Sequence, residues 1–275
     1  EIDAPYHGAW SRDFDQLPYA LKTIQNLHAH LKTSEILRIR RAFYALCTQI
    51  DHQLRVVIGT LREEGLLEDT IILFTADHGD MLGHHGLWAK RLYYENSANV
   101  PMILLGGRDG RVPHHAMDDR LVGWQDVMPT LLDLAGIEVP NTVAGLSMVS
   151  AEERPYLYGE CGENSTATRM IREGRYKLIY YPVGNRVQLF DIEDDPCELA
   201  DLAAVESHSE ARTRLTGHLI SNLYGGDEAW IADGQLVGMP DQAYHPSPNR
   251  NLSGQRGIHY PTPPQLDADK AVGMP

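Results

Sequence analysis

The chain has 275 residues, of which 43% are hydrophobic, and carries a formal net charge of −14 at pH 7. This length suffices for one large α/β domain, or for such a domain with a smaller one beside it. The negative charge argues against a nucleic-acid partner, which would need a basic face. No run of about 18 apolar residues occurs, so no membrane span is expected.

The first half of the chain is expected to form part of a mostly parallel sheet with flanking helices. Apolar residues three and four apart predict a helix over residues 33–64. Apolar, β-rich runs at 70–74 and 100–105 predict buried strands, and a further helix is expected over 126–135. This order of elements is typical of a parallel α/β sheet, so residues 1–150 are assigned to one α/β domain.

The second half predicts a small antiparallel sheet followed by a helix. Short strand-like runs separated by turns occur at 156–159, 168–172, 176–181 and 187–192. Leu215, Leu219 and Leu223 then share one stripe of a helix expected over 205–223. We assign residues 151–224 to this subdomain. Residues 225–275 are rich in Pro, Gly and Asn, which predicts an extended tail.

The loop after the first strand, residues 75–90, reads TADHGDMLGHHGLWAK. Asp77 and His78 stand where the strand ends, and open α/β sheets bind their ligands at such ends. A carboxylate oxygen and an imidazole nitrogen together suit a divalent cation, so both residues are candidate metal ligands. Two ligands are too few for a complete site, and others must come from elsewhere. The alternative is that Asp77 caps a turn and His78 is an ordinary loop histidine.

Lys90 and His85 are the candidate catalytic residues of the same loop. Beside a metal ion, Lys90 could neutralise an oxygen of a bound anion. His85 could donate a hydrogen bond to that anion or orient a metal ligand. Without a metal nearby, a lysine in such a loop is usually solvated.

Residues 75–90 as a whole resemble the second metal-site motif of type I sulfatases, the formylglycine-dependent members of the alkaline phosphatase superfamily. Four further segments are similar to patterns of this family: YENSANVP at 94–101, DVMPTLLDLAGI at 126–137, GRYKL at 174–178 and LFDIEDDPCEL at 189–199. Their joint order and spacing extend the resemblance over roughly residues 35–222. The chain is thereby identified as a C-terminal portion of such an enzyme.

The resemblance implies a sulfuric ester hydrolase in which a metal-assisted formylglycine attacks a sulfate monoester. Asp77 and His78 would bind the metal ion, and Lys90 would contact the sulfate and assist the leaving oxygen. Calcium is the expected metal, with manganese or zinc as alternatives because many sulfatases carry Asn in place of His78. The substrate would be a small sugar, aryl or choline sulfate, and the family implies a periplasmic or secreted location.

The nucleophile of this mechanism is not found in the chain. The family makes formylglycine from a Cys or Ser in a Cys/Ser-x-Pro/Ala-x-Arg motif, and Cys47, Cys161 and Cys197 all lie outside such a context. We therefore expect residue 1 to correspond to the middle of the family's domain. The piece alone is expected to be inactive and poorly stable, since a sheet without its first strands exposes apolar edges.

Two other functions fit the same residues. Phosphonate monoester and phosphodiester hydrolases of the superfamily also use an Asp-His pair and a lysine thirteen residues after the Asp, which is the spacing from Asp77 to Lys90. A non-catalytic binding module would instead use the small sheet and the Pro-rich tail for assembly. Homo-oligomerisation is compatible with all three functions.

Two clusters in the second half are assigned structural roles. Asp191, Asp194 and Asp195 are expected to form turns and caps around Pro196. The aromatic pair Tyr180-Tyr181 is expected to pack in a core, in preference to serving as a platform for a sugar.

Overall fold

The computed structural model of the chain describes residues 2–25 and 31–245 and has a mixed α/β fold. The α-helices are α1 (Tyr19–Gln25), α2 (Thr33–Glu63), α3 (Glu95–Ala98), α4 (Val127–Leu134) and α5 (Ser209–Asn222). The strands are β1 (Ile72–Thr75), β2 (Met102–Leu105), β3 (Leu157–Cys161), β4 (Thr168–Glu173), β5 (Tyr176–Tyr181), β6 (Arg186–Asp191), β7 (Ile231–Ala232) and β8 (Gln235–Leu236). Within these residues, no helix has both the length and the apolarity that crossing a bilayer requires.

The mostly parallel sheet predicted for the first half is not observed. Strands β1 and β2 occur where the sequence predicts strands, but they pair antiparallel, with Ile72 opposite Leu105 and Thr75 opposite Met102. Strand β2 begins at the same end of the sheet at which β1 stops, because the connection stays at that end as the loop of residues 76–94 and the short helix α3. A parallel pair would need a crossover that returns the chain to the opposite end of the sheet. All three sheets of the described residues, β1–β2, β3–β4–β5–β6 and β7–β8, are antiparallel.

Helix α2 is confirmed almost to the residue, and it begins and ends as its sequence indicates. The Lys32 N–H donates to Glu35 Oε2 over 2.8 Å at its start, and Gly65 follows its end with φ +70°. Arg40 is its one buried residue among those described. Much of its apolar stripe is exposed, including Ile39, Leu46, Ile50, Val56 and Val57. The helix therefore carries an apolar face that the described residues leave uncovered.

The antiparallel sheet predicted for the second half is confirmed, with its four strands in the order β3–β4–β5–β6. Because side chains alternate across a strand, one face presents Ile171, Leu178 and Leu189. Helix α5 covers this face with the predicted stripe of Leu215, Leu219 and Leu223, all buried. This packing gives the subdomain one complete hydrophobic core.

The opposite face of the sheet forms a second core with segments from the first half of the chain. Ile179, Tyr181 and Phe190 pack there against buried residues from α1 and the loop after β1, namely Leu17, Ala20, Leu21, Met81, Leu87, Leu92 and Tyr94. The regions predicted as residues 1–150 and 151–224 thus share a core. The sheet consequently supports the loop that carries the candidate site.

Residues 225–239 pack on the sheet, whereas the sequence predicts an extended tail from residue 225. Trp230 is 6% exposed and belongs to the same core as α5. Arg169 Nε donates to Asp227 Oδ2 over 2.6 Å, and its guanidinium lies 5.2 Å from the centre of the Trp230 ring. The part of the predicted tail from residue 246 onward lies outside the described residues.

The structural roles predicted for the two clusters in the second half are confirmed. Asp191 forms an ion pair with Arg175 at 2.5 Å, and Asp195 accepts a hydrogen bond from the Ala200 N–H at 2.9 Å. Tyr180 and Tyr181 are fully buried, one in each core. Neither tyrosine is accessible to a sugar.

Candidate active site

The chain turns sharply at Gly79, immediately after the two predicted metal ligands. The Gly79 N–H donates to Ser97 O over 2.9 Å, which ties the turn to α3. A Cβ atom at this position would lie 2.0 Å from Asn96 O, so only glycine fits. This close approach to α3 fixes the direction in which Asp77 and His78 leave the end of β1.

Asp77 and His78 form a close pair whose geometry suits a cation. His78 Nδ1 lies 2.8 Å from Gly79 O, and because a carbonyl oxygen only accepts, Nδ1 carries the hydrogen. Nε2 then faces Asp77 Oδ2 at 3.2 Å. A carboxylate oxygen and an imidazole nitrogen placed in this way are a pair of atoms that one metal ion could share. The turn-capping alternative for Asp77 is also compatible with the structure, since Asp77 Oδ1 accepts the His78 N–H at 3.0 Å.

Lys90 is exposed and is held by a strained backbone. Ala89 and Arg91 on either side of it both have left-handed conformations, with φ values of +60° and +77°. The Met81 N–H donates to Ala89 O over 2.9 Å, which fixes this segment to the start of the same loop. Within the part of the chain that the structure describes, the Lys90 ammonium makes no hydrogen bond or ion pair. Strain of this kind is common where a functional side chain is held in place.

A cavity of about 730 Å³ brings Asp77, His78 and Lys90 together. Its lining comes from the loop after β1 and α3, from residues 118–125, and from β3, β4 and β5. The volume lies within the range of small-molecule sites. Three of the four residues singled out in the sequence therefore share one cavity.

His85, the fourth residue, does not line this cavity. Its side chain is 1% exposed and lies beside the N-terminal segment, where Nδ1 accepts the Gly8 N–H over 3.0 Å. The Trp10 ring packs against it with 4.8 Å between centroids. In this position His85 holds residues near the N-terminus against the loop, and its proposed catalytic role finds no support in the geometry.

Burial keeps His84 and His85 neutral, which predicts acid-sensitive folding. Burial lowers the pKa of each to about 4, with a further contribution for His84 from Arg40. In the unfolded chain both would gain a proton near pH 6.5. Stability is therefore complete above pH 6.5 and is lost as the pH falls toward 4, and His85 alone accounts for about 3 kcal/mol.

Urea unfolding at a series of pH values between 7 and 4 measures this effect. The His85→Gln variant is expected to have a shallower dependence than wild type, whereas His114→Gln at an exposed position keeps the wild-type slope. Equal slopes for all three proteins would contradict the assignment.

Several residues of the cavity wall were missed in the sequence. Trp124 is 51% exposed there, and its Nε1 donates to Ala76 O over 2.9 Å, beside the metal-ligand pair. Arg172 and Lys177 enter the wall from β4 and β5. A sequence signal existed for Lys177, because it is a basic residue in the otherwise apolar and aromatic run of β5. No such signal marks Arg172, because β4 also contains Thr168, Arg169 and Glu173. Only the alternation of the strands shows that both face the cavity.

Lys177 forms a buried ion cluster beneath the site. Its Nζ lies 2.6 Å from Glu95 Oε1 and 2.7 Å from Glu198 Oε1, and its side chain is 2% exposed. Burial raises the pKa of Glu198, while for Glu95 the nearby Lys177 outweighs burial and lowers the pKa. Glu95 begins α3, and α3 holds the Gly79 turn. The cluster thus links the sheet, through α3 and the Gly79 turn, to the segment that carries Asp77 and His78.

Asp77 and His78 could supply two ligands to a metal ion. Asp77 supplies hard oxygen and His78 supplies nitrogen, a donor set that calcium, manganese and zinc all accept to different degrees. Among residues 2–25 and 31–245, no group of three or more His, Cys, Asp or Glu side chains could hold a metal ion. Further ligands would have to come from outside this set.

Two sequence families match the chain. The Sulfatase family matches residues 3–137, and the family described as N-sulphoglucosamine sulphohydrolase, C-terminal, matches residues 83–223. The first match contains the loop after β1. The second match contains the end of that loop and the whole four-stranded sheet. The resemblance seen in the sequence is thereby confirmed.

Characterised relatives agree with this assignment. The arylsulfatase of Clostridium perfringens (strain 13 / Type A) is 32% identical over 249 residues, which cover 86% of this chain and 50% of that enzyme. The choline-sulfatase of Rhizobium meliloti (strain 1021) is 42% identical over 175 residues, covering 60% of this chain and 33% of that enzyme. The chain thus spans half or less of the length of these relatives.

Solved structures share the fold. A Bacteroides thetaiotaomicron protein described as a sulfatase superposes with a TM-score of 0.68 at 26% identity, over 80% of this chain and 52% of its own. The phosphonate monoester hydrolase of Agrobacterium radiobacter superposes with a TM-score of 0.70 at 20% identity, over 87% and 55%, which establishes the fold alone. The chain belongs to the sulfatase family of the alkaline phosphatase superfamily and covers the C-terminal portion of its members.

Proposed function

We propose that the intact enzyme containing this chain hydrolyses sulfate monoesters in the cavity formed by Asp77, His78 and Lys90. The observation that carries this proposal is that Asp77, His78 and Lys90 line one cavity, where the Lys90 ammonium has no hydrogen-bond or ion-pair partner among the described residues. A divalent cation and an ammonium together suit an anion with several oxygens, such as a sulfate group. Membership of the sulfatase family supports the same reaction.

Asp77 and His78 would hold the cation, for which calcium is our first choice and manganese or zinc the alternatives. When bound, the cation would neutralise charge on the sulfate oxygens. Lys90 would bind another sulfate oxygen and stabilise the negative charge that develops on the leaving oxygen. The formylglycine nucleophile and the remaining ligands would be supplied by other parts of the intact enzyme, so the chain alone would be inactive.

We further propose that the substrate is an aryl sulfate or another ring-bearing sulfate ester. Tyr93, Trp124 and Tyr158 line the cavity, and aromatic faces favour a flat organic group. Similarity to the Clostridium arylsulfatase extends over most of the chain, which supports the same class. Choline sulfate is the competing substrate because similarity to the choline-sulfatase is higher over a shorter region.

Phosphonate monoester hydrolysis is the second candidate function. The similarity in fold to the Agrobacterium enzyme and the thirteen-residue spacing between Asp77 and Lys90 favour it. A phosphonate monoester also presents negatively charged oxygens to a cation and an ammonium, so the site geometry alone is compatible with both reactions.

Parallel assays of the intact enzyme test these proposals. We expect 4-nitrophenyl sulfate to be cleaved with a higher kcat/KM than 4-nitrophenyl phenylphosphonate or choline sulfate. Treatment with EDTA should abolish cleavage, since Asp77 and His78 would lose the shared cation, and calcium should restore it better than manganese or zinc. Chain 1–275 alone serves as the control and should show no turnover.

The outcomes separate the candidates. Dominant phosphonate cleavage would replace the sulfatase assignment with the second candidate. Activity that survives complete metal removal would exclude the cation-binding role of Asp77 and His78. Absence of turnover on every ester, with the nucleophile motif present upstream, would leave a binding function.

A further inference from the structure

Arg172 enters the wall of the cavity from the four-stranded sheet. In the register of the strands it lies opposite Leu157 of β3 and Lys177 of β5. Met170, two residues earlier on the same face of β4, also lines the cavity. Arg172 is therefore presented to the space in which Asp77 and Lys90 lie, but from a different part of the fold.

The Arg172 guanidinium is only partly satisfied. Its Nη1 atom is buried and has no hydrogen-bond partner among the described residues. Glu95 is close enough to favour the charged form, but Oε1 of Glu95 is bound by Lys177 at 2.6 Å and Oε2 by Asn99 at 2.9 Å. Burial lowers the pKa of Arg172, which reflects the cost of removing this cation from water.

Two other arginines, Arg120 of the cavity wall and Arg169 of the same strand, have carboxylate partners. Arg120 binds Asp118 at 2.6 Å and Arg169 binds Asp227 at 2.6 Å. Arg91 also lines the cavity without an ion pair, but it is exposed and water can satisfy it. Arg172 differs from all three because a buried donor without an acceptor carries a desolvation cost that a ligand could remove.

We propose that Arg172 binds a second anionic group of the substrate, a carboxylate or a second sulfate, while the reacting sulfate lies at Asp77, His78 and Lys90. This inference rests on the proposed function. The fork of a guanidinium matches the paired oxygens of either group. The enzyme would then prefer sulfate esters that carry a further negative charge on their organic part.

The intact, metal-loaded enzyme tests this proposal through the ratio of two kcat/KM values. One substrate is 4-nitrophenyl sulfate and the other is 2-carboxy-4-nitrophenyl sulfate, so each protein serves as its own reference. We expect Arg172→Gln to lower the ratio of kcat/KM for the carboxylated substrate to kcat/KM for 4-nitrophenyl sulfate about tenfold, the effect of one charge-assisted hydrogen bond. Arg172→Lys should retain part of the preference, and it keeps the test possible where Arg172→Gln does not fold.

Two control variants locate the charge that matters. Arg108→Gln, at an exposed ion pair with Asp69, should leave the ratio at its wild-type value. A fall in the ratio for Arg91→Gln with no fall for either Arg172 variant would overturn the proposal. An equal loss of both substrates in the Arg172 variants would overturn it too, because that pattern indicates a contact with the reacting sulfate or a structural role.

A binding experiment separates this proposal from the proposed function. Calorimetric titration compares benzene-1,3-disulfonate with benzenesulfonate, neither of which is hydrolysed. Tighter binding of the disulfonate by wild type, lost in Arg172→Gln, reduced in Arg172→Lys and retained in Arg108→Gln, supports the subsite even where no sulfate ester is cleaved. Equal binding of the two sulfonates to an enzyme that does cleave sulfate esters overturns the subsite alone.

Discussion

Replacing Lys177 by methionine is expected to lower the free energy of unfolding by about 3–5 kcal/mol, the usual cost of removing one partner from a buried ion pair. Methionine fills a similar volume, so the loss would come from charge. Glu95 and Glu198 would then lie about the removed ammonium with no cation between them. Urea unfolding followed by tryptophan fluorescence measures the change, with Trp10 and Trp230 reporting on the two faces of the sheet.

Two further variants establish that the ion cluster causes this loss. Arg108→Met removes an exposed ion pair and should cost at most about 1 kcal/mol. Adding Glu198→Gln to Lys177→Met should recover part of the stability, because one of the two buried charges is removed. If Lys177→Met proves as mild as Arg108→Met, the cluster does not hold the sheet and α3 together.

Removing the Lys90 side chain is expected to reduce kcat of the intact enzyme about 100- to 1,000-fold, the effect of losing one group that stabilises charge in the transition state. KM should change less, since Asp77, His78 and their cation would still attract the sulfate. The Lys90→Ala variant, assayed with 4-nitrophenyl sulfate, provides the measurement. Because Lys90 is exposed and makes no hydrogen bond or ion pair within the described residues, its unfolding free energy should match that of wild type.

Comparison with a second lysine makes this result specific. Lys22→Ala, at a lysine whose Nζ donates to Asp15 O on the surface, should leave kcat unchanged. Lys90→Arg keeps the positive charge but replaces the ammonium with a planar guanidinium, and it should retain part of the activity. A Lys90→Ala enzyme with kcat within twofold of wild type would remove Lys90 from the catalytic machinery.

The local elements were predictable where one signal dominated. Helix α2 followed from apolar spacing, and β5 followed from an apolar run between turns. The pairing of β1 and β2 was not predictable in the same way, because strand periodicity does not encode the direction of the partner. The direction of β2 relative to β1 was decided by the loop of residues 76–94 together with α3, which keep the chain at the end of the sheet where β1 stops.

The residues of the candidate site likewise include some that the sequence predicted and some that only the structure revealed. Asp77, His78 and Lys90 belong to one short loop, so their sequence neighbourhood already suggested a shared role. His85 belongs to the same loop, yet it turns inward to the Gly8 N–H and lies away from the cavity. Arg172, from a distant strand, enters the cavity instead. Nearness in sequence therefore located the site but did not settle its membership.

The sequence by itself determined the family, the order of strands β3 to β6 and helix α5, and the loop that carries Asp77 and His78. These depend on local patterns, which act over a few residues. Only the tertiary structure decided the antiparallel pairing, the core shared by both halves and the basic residues of the cavity wall. Those features depend on which faces and edges meet in space, and burial of apolar surface and pairing of buried charges select among arrangements that local patterns leave equivalent.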